Sequence, residues 1–435
     1  MGIQLDGKSS GDEQSSLVLE LPVTDATFDL EKAVCSHGLF MMAPNRWDPS
    51  TKSLHRPLRL SSPSHSVSVR ISHPSPPKPL LVSVFGVASL SSQDQQCLLA
   101  QVRRMLRISE ENDRAVREFQ EMHVPSVERG FGRVFRSPDL FEDMVKCILM
   151  CNCQWSRTLS MARALCELQS ELMGCSVTED HQPKTPEVKK EKRKLGKEKK
   201  VAVKFKTEFV KNNIVCAEEE KSVVNHASQT QSPRCCQLSN TASCLGELQN
   251  SSSVVNNCSI QIGNFPSPGE LVTLDVNFLA QKCKLGYRSQ RILSLAKAIV
   301  DEKIELQKLE EICNGFSLGS YDVLDLELSG ICGFGPFTRA NVLMCMGFYH
   351  KIPTDSETIR HLKQFHGRSN CTSQTVMYDL EKIYGAYAPY QFLAYWSELW
   401  NDYQERFGKL SEMPPSDYQV ITANNMKRRK TCKKL

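Results

Sequence analysis

The sequence predicts an α+β protein: a strand-rich N-terminal region, then a helical core divided by a long polar insertion. Three observations carry this expectation. Ser66-Val67-Ser68-Val69-Arg70-Ile71 alternates polar and apolar residues, and Leu80-Leu81-Val82-Ser83-Val84-Phe85 is a short apolar run; these are the patterns of a half-buried and a buried strand. Apolar residues recur at helical spacing from near Ser109 to about Met173, and the pattern resumes at Phe265-Pro266. Between them, from Val177 to about Gly263, a lysine-rich run (Lys189 to Lys200) leads into Ser, Asn and Gln with few aromatics. A stretch of this kind cannot bury enough apolar surface to order itself.

The chain of 435 residues allows two or three domains, and 24% charged with 40% hydrophobic residues allows a substantial core. The expected organisation is a disordered N-terminus (1–16), a β domain (17–107), a first helical part (108–176), a disordered basic insertion (177–262), a second helical part (263–413) and a basic disordered tail (414–435). The net charge of +5 is modest but unevenly placed: Lys189 to Lys200 and Lys427-Arg428-Arg429-Lys430 hold much of it. Such runs read as solvated linkers, nuclear localisation signals or non-specific phosphate contacts. Eighteen cysteines are scattered without a secretory signal, which points to reduced thiols in a nuclear or cytosolic protein. No apolar run reaches membrane-spanning length, so no membrane partner is expected.

Taken in order, Pro/Ser clusters (Ser61 to His65, Pro74 to Pro79) are loops between strands. Ser137-Pro138 opens a helix whose buried face is Phe141, Met144, Val145, Ile148 and Leu149. It leads to a polar junction containing Asn152, Gln154 and Arg157, residues equally suited to capping helices. Leu285-Gly286-Tyr287-Arg288 follows the insertion; in isolation it is as well read as a core tyrosine and a helix-start arginine. The stretch Leu326 to Leu362 then reads as helix, tight hairpin, helix, loop and a helix opened by an aspartate. Gly330, Gly333 and Gly335 are expected to supply the positive-φ positions of the hairpin, Pro336 the first turn of the next helix, and Gly347 its stop. Free N–H groups at such a hairpin suit a phosphate oxygen. Asp355 or Thr354 is also an ordinary N-cap, with Thr354-x-x-Glu357 a capping box, and Glu357 and Asp379 read as surface charges. Tyr387 to Arg406 is a helix dense in aromatics, most of them core.

Gly333-Phe334-Gly335-Pro336-Phe337-Thr338, followed at a fixed distance by Ile352-Pro353-Thr354-Asp355, resembles the helix-hairpin-helix DNA glycosylases, and the 8-oxoguanine and 3-methyladenine branches in particular. The likeness spans about residues 17 to 410 and includes the family's L-G-Y-R segment at Leu285 to Arg288. It implies a small antiparallel sheet, with Phe28 to Leu30 and Cys35 to Phe40 as first strand and turn, ahead of a two-lobed helical core. It implies that Asp355 is the catalytic carboxylate, that Gly333, Gly335 and Thr338 grip DNA, and that Tyr287 wedges into the base stack while Arg288 reaches the opposite strand. Asn152, Gln154 and Arg157 would fill the gap left by an extruded base, and Phe337, Tyr395 and Trp396 would line its pocket.

The departures from the family bear on subclass. Bifunctional members carry a lysine nucleophile where this chain has Phe337, and a phenyl ring forms no Schiff base. The residues that read and stack on guanine in the 8-oxoguanine enzymes correspond to Tyr395 and Leu399. Only Cys371 and Cys432 follow Asp355, too few for the iron–sulfur branch, so neither metal nor cofactor is expected. The resemblance thus implies a monofunctional, monomeric nuclear glycosylase excising a damaged base from duplex DNA. The alternatives are a non-catalytic DNA-binding module and a bifunctional 8-oxoguanine-type glycosylase/lyase.

Overall fold

Five strands form one sheet, and the helices pack their apolar stripes against it and against one another. The computed structural model describes residues 16–75, 78–175, 262–313, 318–422 and 424–426. The expectations for the N-terminus, nearly all of the 177–262 insertion and the last basic residues fall outside these. Strands β1 (Ser16–Leu21), β2 (Arg46–Asp48), β3 (Ser53–Arg59), β4 (Ser66–Ser72) and β5 (Leu80–Phe85) form an antiparallel sheet in the order β1-β5-β4-β3-β2. The alternation of β4 is borne out: Val67, Val69 and Ile71 are buried between half-exposed neighbours.

Two expectations for this region are corrected. Residues 28–41 hold no strand: Asp29 caps the short helix α1 (Leu30–Val34), its carboxylate accepting from Lys32 N–H at 2.9 Å, and a 3-10 turn follows over Gly38–Met41. The end of the supposed β domain is helix α2 (Ser92–Leu106), capped by Ser91, which packs on β3.

The helical part runs through α3 (Glu110–Met122), α4 (Val124–Arg129), α5 (Leu140–Met150) and α6 (Trp155–Cys175). It resumes with α7 (Pro268–Leu271), α8 (Val276–Lys282), α9 (Arg288–Val300), α10 (Leu306–Cys313) and α11 (Leu318–Ser329). The last four helices are α12 (Pro336–Met346), α13 (Ser356–Gln364), α14 (Val376–Tyr384) and α15 (Gln391–Phe407). α5 is buried on nearly every side and packs on α6, α9 and α12, the arrangement expected of a central helix. It carries Glu142 and Lys146 inward, where Arg56 of β3 meets Glu142 at 2.8 Å and Lys146 meets it at 2.6 Å.

The last helix is stitched to the N-terminal segment. The indole N–H groups of Trp396 and Trp400 donate to the carbonyls of Ser36 and Cys35, each at 2.9 Å, and Trp47 donates to Ser411 O at 3.0 Å. The tail expected to leave the fold at 414 stays on it instead: Tyr418, Ile421 and Met426 are buried against the core. Cys147, Cys151, Cys166 and Cys345 are buried free thiols. No helix among the described residues is long and apolar enough to cross a membrane.

Candidate active site

The hairpin between α11 and α12 needs one special backbone conformation, not three. Gly333 has φ +88°, a conformation that demands glycine, and a Cβ there would lie 2.5 Å from Arg291 Cδ and push that side chain aside. Gly335 is the extended N-cap of α12 at φ −68° with open space around it, and Gly330 is not at positive φ. Glycine at 335 therefore leaves the start of α12 bare rather than relieving strain.

After α12 the chain turns at Gly347 and reaches α13, where Asp355 is the N-cap; Thr354 has no part in a capping box. Thr358 N–H donates to Asp355 Oδ1 at 2.8 Å, and the Thr358 hydroxyl lies 2.9 Å from the same oxygen. Both Thr358 bonds fall on this one carboxylate oxygen. Burial pushes the Asp355 carboxyl above its usual range; the Thr358 bonds pull the other way without cancelling it, and Glu357 adds to the rise.

Asp355 lines a cavity of about 670 Å³. Phe337, Tyr395 and Trp396, expected in a base pocket, all line it, as does Gln154. Tyr395 is buried; its hydroxyl meets that of Thr358 at 3.0 Å, giving the aspartate a braced second layer. Trp396 stacks between Phe392 and Trp400 at ring distances of 5.7 and 5.6 Å. Behind this wall, His361, His366 and Tyr384 converge on Glu398 Oε2, at 3.4, 2.8 and 2.6 Å. Burial opposes that charge, but the bonds outweigh it and hold Glu398 down at about 2.

Several expected DNA contacts are placed differently. Tyr287 is half exposed, and the guanidiniums of Arg288 and Arg291 lie 4.6 and 4.7 Å from its ring centroid. Arg288 is buried, with Nη2 donating to Cys151 O and, at 3.3 Å, to Asn152 O. It anchors the Cys151-Asn152 turn, in which Asn152 takes φ +45°, and its guanidinium faces the protein interior. Thr338 is buried, its hydroxyl 3.0 Å from Cys151 Sγ, which removes that side chain from the surface. Asn152 and Arg157 are exposed, Arg157 donating to Lys284 O at 3.3 Å.

Three further pocket features were not legible in the sequence. Glu357, read as a surface charge, is clamped by Arg360 at 2.7 Å and the Tyr403 hydroxyl at 2.7 Å, and it lines the cavity. His37 lines it from the N-terminal segment, and Ile421, Thr422, Asn424 and Asn425 from the tail. A lone histidine in a turn and a few residues in a polar tail have no spacing signal. The tail's one hint is apolar Tyr418, Ile421 and Met426 among polar neighbours.

No family model matches the chain, and no curated protein matches it. Among solved structures it is similar to the 3-methyladenine DNA-glycosylase from Archaeoglobus fulgidus, with a TM-score of 0.51 and 13% identity over 90% of this chain and 99% of that one. Similarity at a TM-score of 0.47 is found to MBOgg1 in complex with a low-affinity DNA ligand, at 15% identity over 89% of this chain and 99% of that one. The 8-oxoguanine glycosylase/lyase of Clostridium acetobutylicum, in complex with duplex DNA carrying cytosine opposite 8-oxoguanine, gives the same score at 10% identity over 90% and 97%. The likeness is one of fold, and it agrees with the resemblance that the sequence motifs carry.

Proposed function

We propose that this protein is a monofunctional DNA N-glycosylase, a nuclear, monomeric enzyme that extrudes a damaged base from duplex DNA and hydrolyses its bond to the sugar. The observation that carries the reading is Asp355: a carboxylate held through one oxygen by its own helix start, lining an aromatic cavity large enough for a base. When the C1′–N bond breaks, the electron pair leaves with the base and positive charge develops on the sugar, as in glycoside hydrolysis. A carboxylate in a poorly solvated site stabilises that charge more than it does the neutral substrate. Water then adds at C1′, and Asp355 Oδ2 is the group to accept its proton.

Phe337 supports hydrolysis over lyase chemistry. It lines the cavity, and none of the described residues that do so offers an amine to form a Schiff base. Half-exposed Tyr287 suits a wedge that replaces lost stacking, with Arg288 positioning the loop from behind. Gly333, Gly335 and the start of α12 suit a backbone grip on phosphate. Asn152, Gln154 and Arg157 suit the vacated helix interior.

A panel of duplexes, each with a single lesion, tests the reading. The expected result is base release from at least one duplex, with strand breaks only after alkali and no adduct trapped by borohydride. An efficient borohydride adduct would reassign the protein as a lyase. Tight binding with no release from any duplex would leave a DNA-binding module.

A further inference from the structure

His37 is 4% exposed and lines the same cavity as Asp355. It sits at the N-cap of the 3-10 turn Gly38–Met41, where its Nδ1 accepts the backbone N–H of Leu39 at 3.3 Å. A nitrogen that accepts carries no hydrogen, so in the neutral ring the hydrogen is on Nε2. Nε2 lies on the far side of the ring from that bond and has no partner among the described residues.

The ring is also fixed in orientation. Its centroid is 4.3 Å from that of Trp396, with the planes inclined by 39°. Trp396 in turn is tied through its indole N–H to the carbonyl of Ser36, the residue before His37. Burial, and then the buried Arg107 guanidinium, holds the imidazole down at about 3, so it stays neutral wherever the protein is folded. Arg107 is itself committed to the carbonyls of Val134, Met344 and Cys345.

An oriented donor on a cavity lining, with no acceptor among the described residues, is free to meet one on a ligand. We infer that His37 reads the extruded base: its Nε2–H donates to an acceptor on the base edge, a carbonyl oxygen or an unprotonated ring nitrogen, while Trp396 fixes the ring that presents it. The preferred lesions are then bases that keep such an acceptor on the edge facing the N-terminal wall. A base carrying an N–H or an alkyl group there meets a donor and is excluded. This rests on the cavity being a base pocket, and the test separates the two ideas.

The measurement is kcat/KM for the fastest-released base among hypoxanthine, 8-oxoguanine, 3-methyladenine and uracil in duplex DNA, and for its deaza or deoxo analogues lacking one acceptor each. Wild type should lose about tenfold on one analogue. His37→Phe, which keeps the ring stack but lacks the donor, should lose about tenfold on the parent base and nothing more on that analogue. His37→Gln should recover part of the loss, and duplex affinity should be unchanged in both variants. Wild-type rates that are equal on all analogues would overturn the inference without recourse to a variant. A His37→Phe protein of unchanged melting temperature and full activity would do the same, leaving the glycosylase reading intact. If wild type releases no base, both fall together.

Discussion

Glu142 and Asp355 are both carboxylates drawn into the protein at the start of a helix, and they are treated in opposite ways. Burial opposes the charge of Glu142, but Arg56 and Lys146 outweigh it and hold the carboxyl at about 2. Asp355 has no cation, and burial prevails over its two Thr358 contacts. A carboxylate with its counter-charges supplied belongs to the architecture and ties β3 to α5. A carboxylate whose counter-charge is missing waits for one from outside, and an oxocarbenium-like sugar is a cation of the right kind.

The comparison can be broken by exchanging the outcomes of matched substitutions. Glu142→Gln should destabilise the protein by about 3–5 kcal/mol, because Arg56 and Lys146 remain buried without their counter-charge. Thermal or denaturant unfolding checks this, and the activity per folded molecule should survive. Asp355→Asn should do the reverse, slowing base release by about 10²–10³ through the loss of about 3–4 kcal/mol of transition-state stabilisation. Its melting temperature at pH 7 should be at or above that of wild type, and its affinity for duplex unchanged. A large stability loss in the Asn variant would make Asp355 a cap and nothing more.

Stability against pH sharpens the same contrast. The Glu142 carboxyl is lowered on folding from 4.5 to about 2, so its contribution, about 3 kcal/mol, is present above pH 4.5 and lost as pH falls towards 2. The Asp355 carboxyl is raised, so its contribution is present below its ordinary value of 3.8 and is lost as pH rises through the folded value. Urea unfolding across pH 2 to 7 should therefore flatten on the acid side in Glu142→Gln and change little there in Asp355→Asn. The smallest effect is expected from a carboxylate added at an exposed helix start. Gly335→Asp occupies open space at the N-cap of α12, so stability should hold or rise slightly while duplex affinity at fixed salt falls about fivefold. Unchanged affinity would remove the hairpin from the DNA contact.

Much of the fold was legible because it rests on local periodicity. β4, β5, α5 and the hairpin follow from alternation, a 3.6-residue stripe and a Gly/Pro pair. The segment 28–41 was misread because a five-residue helix and a 3-10 turn are too short to show a period. Asp355 and the aromatic wall were legible because a motif fixes them in one stretch of chain. Arg288 was legible as important but not as buried, since only the fold decides whether a guanidinium faces solvent or the carbonyls of a turn 136 residues away. His37 and the tail enter the pocket through tertiary contacts alone, and no local pattern encodes those.

The stitching of the last helix to the N-terminal segment has a consequence for when the protein can act at all. His37, Gln154 and Trp155 precede residues 176–261, whereas Asp355, Tyr395 and Trp396 follow them. The cavity is a logical conjunction of the two stretches: neither encloses it alone, and Trp396 and Trp400 close it only by reaching back some 360 residues to Ser36 and Cys35. A chain that ends before Asp355 therefore carries only part of the cavity's lining. By the same logic, two fragments divided within 176–261 would each carry only part of the lining, which would be complete only when they find each other.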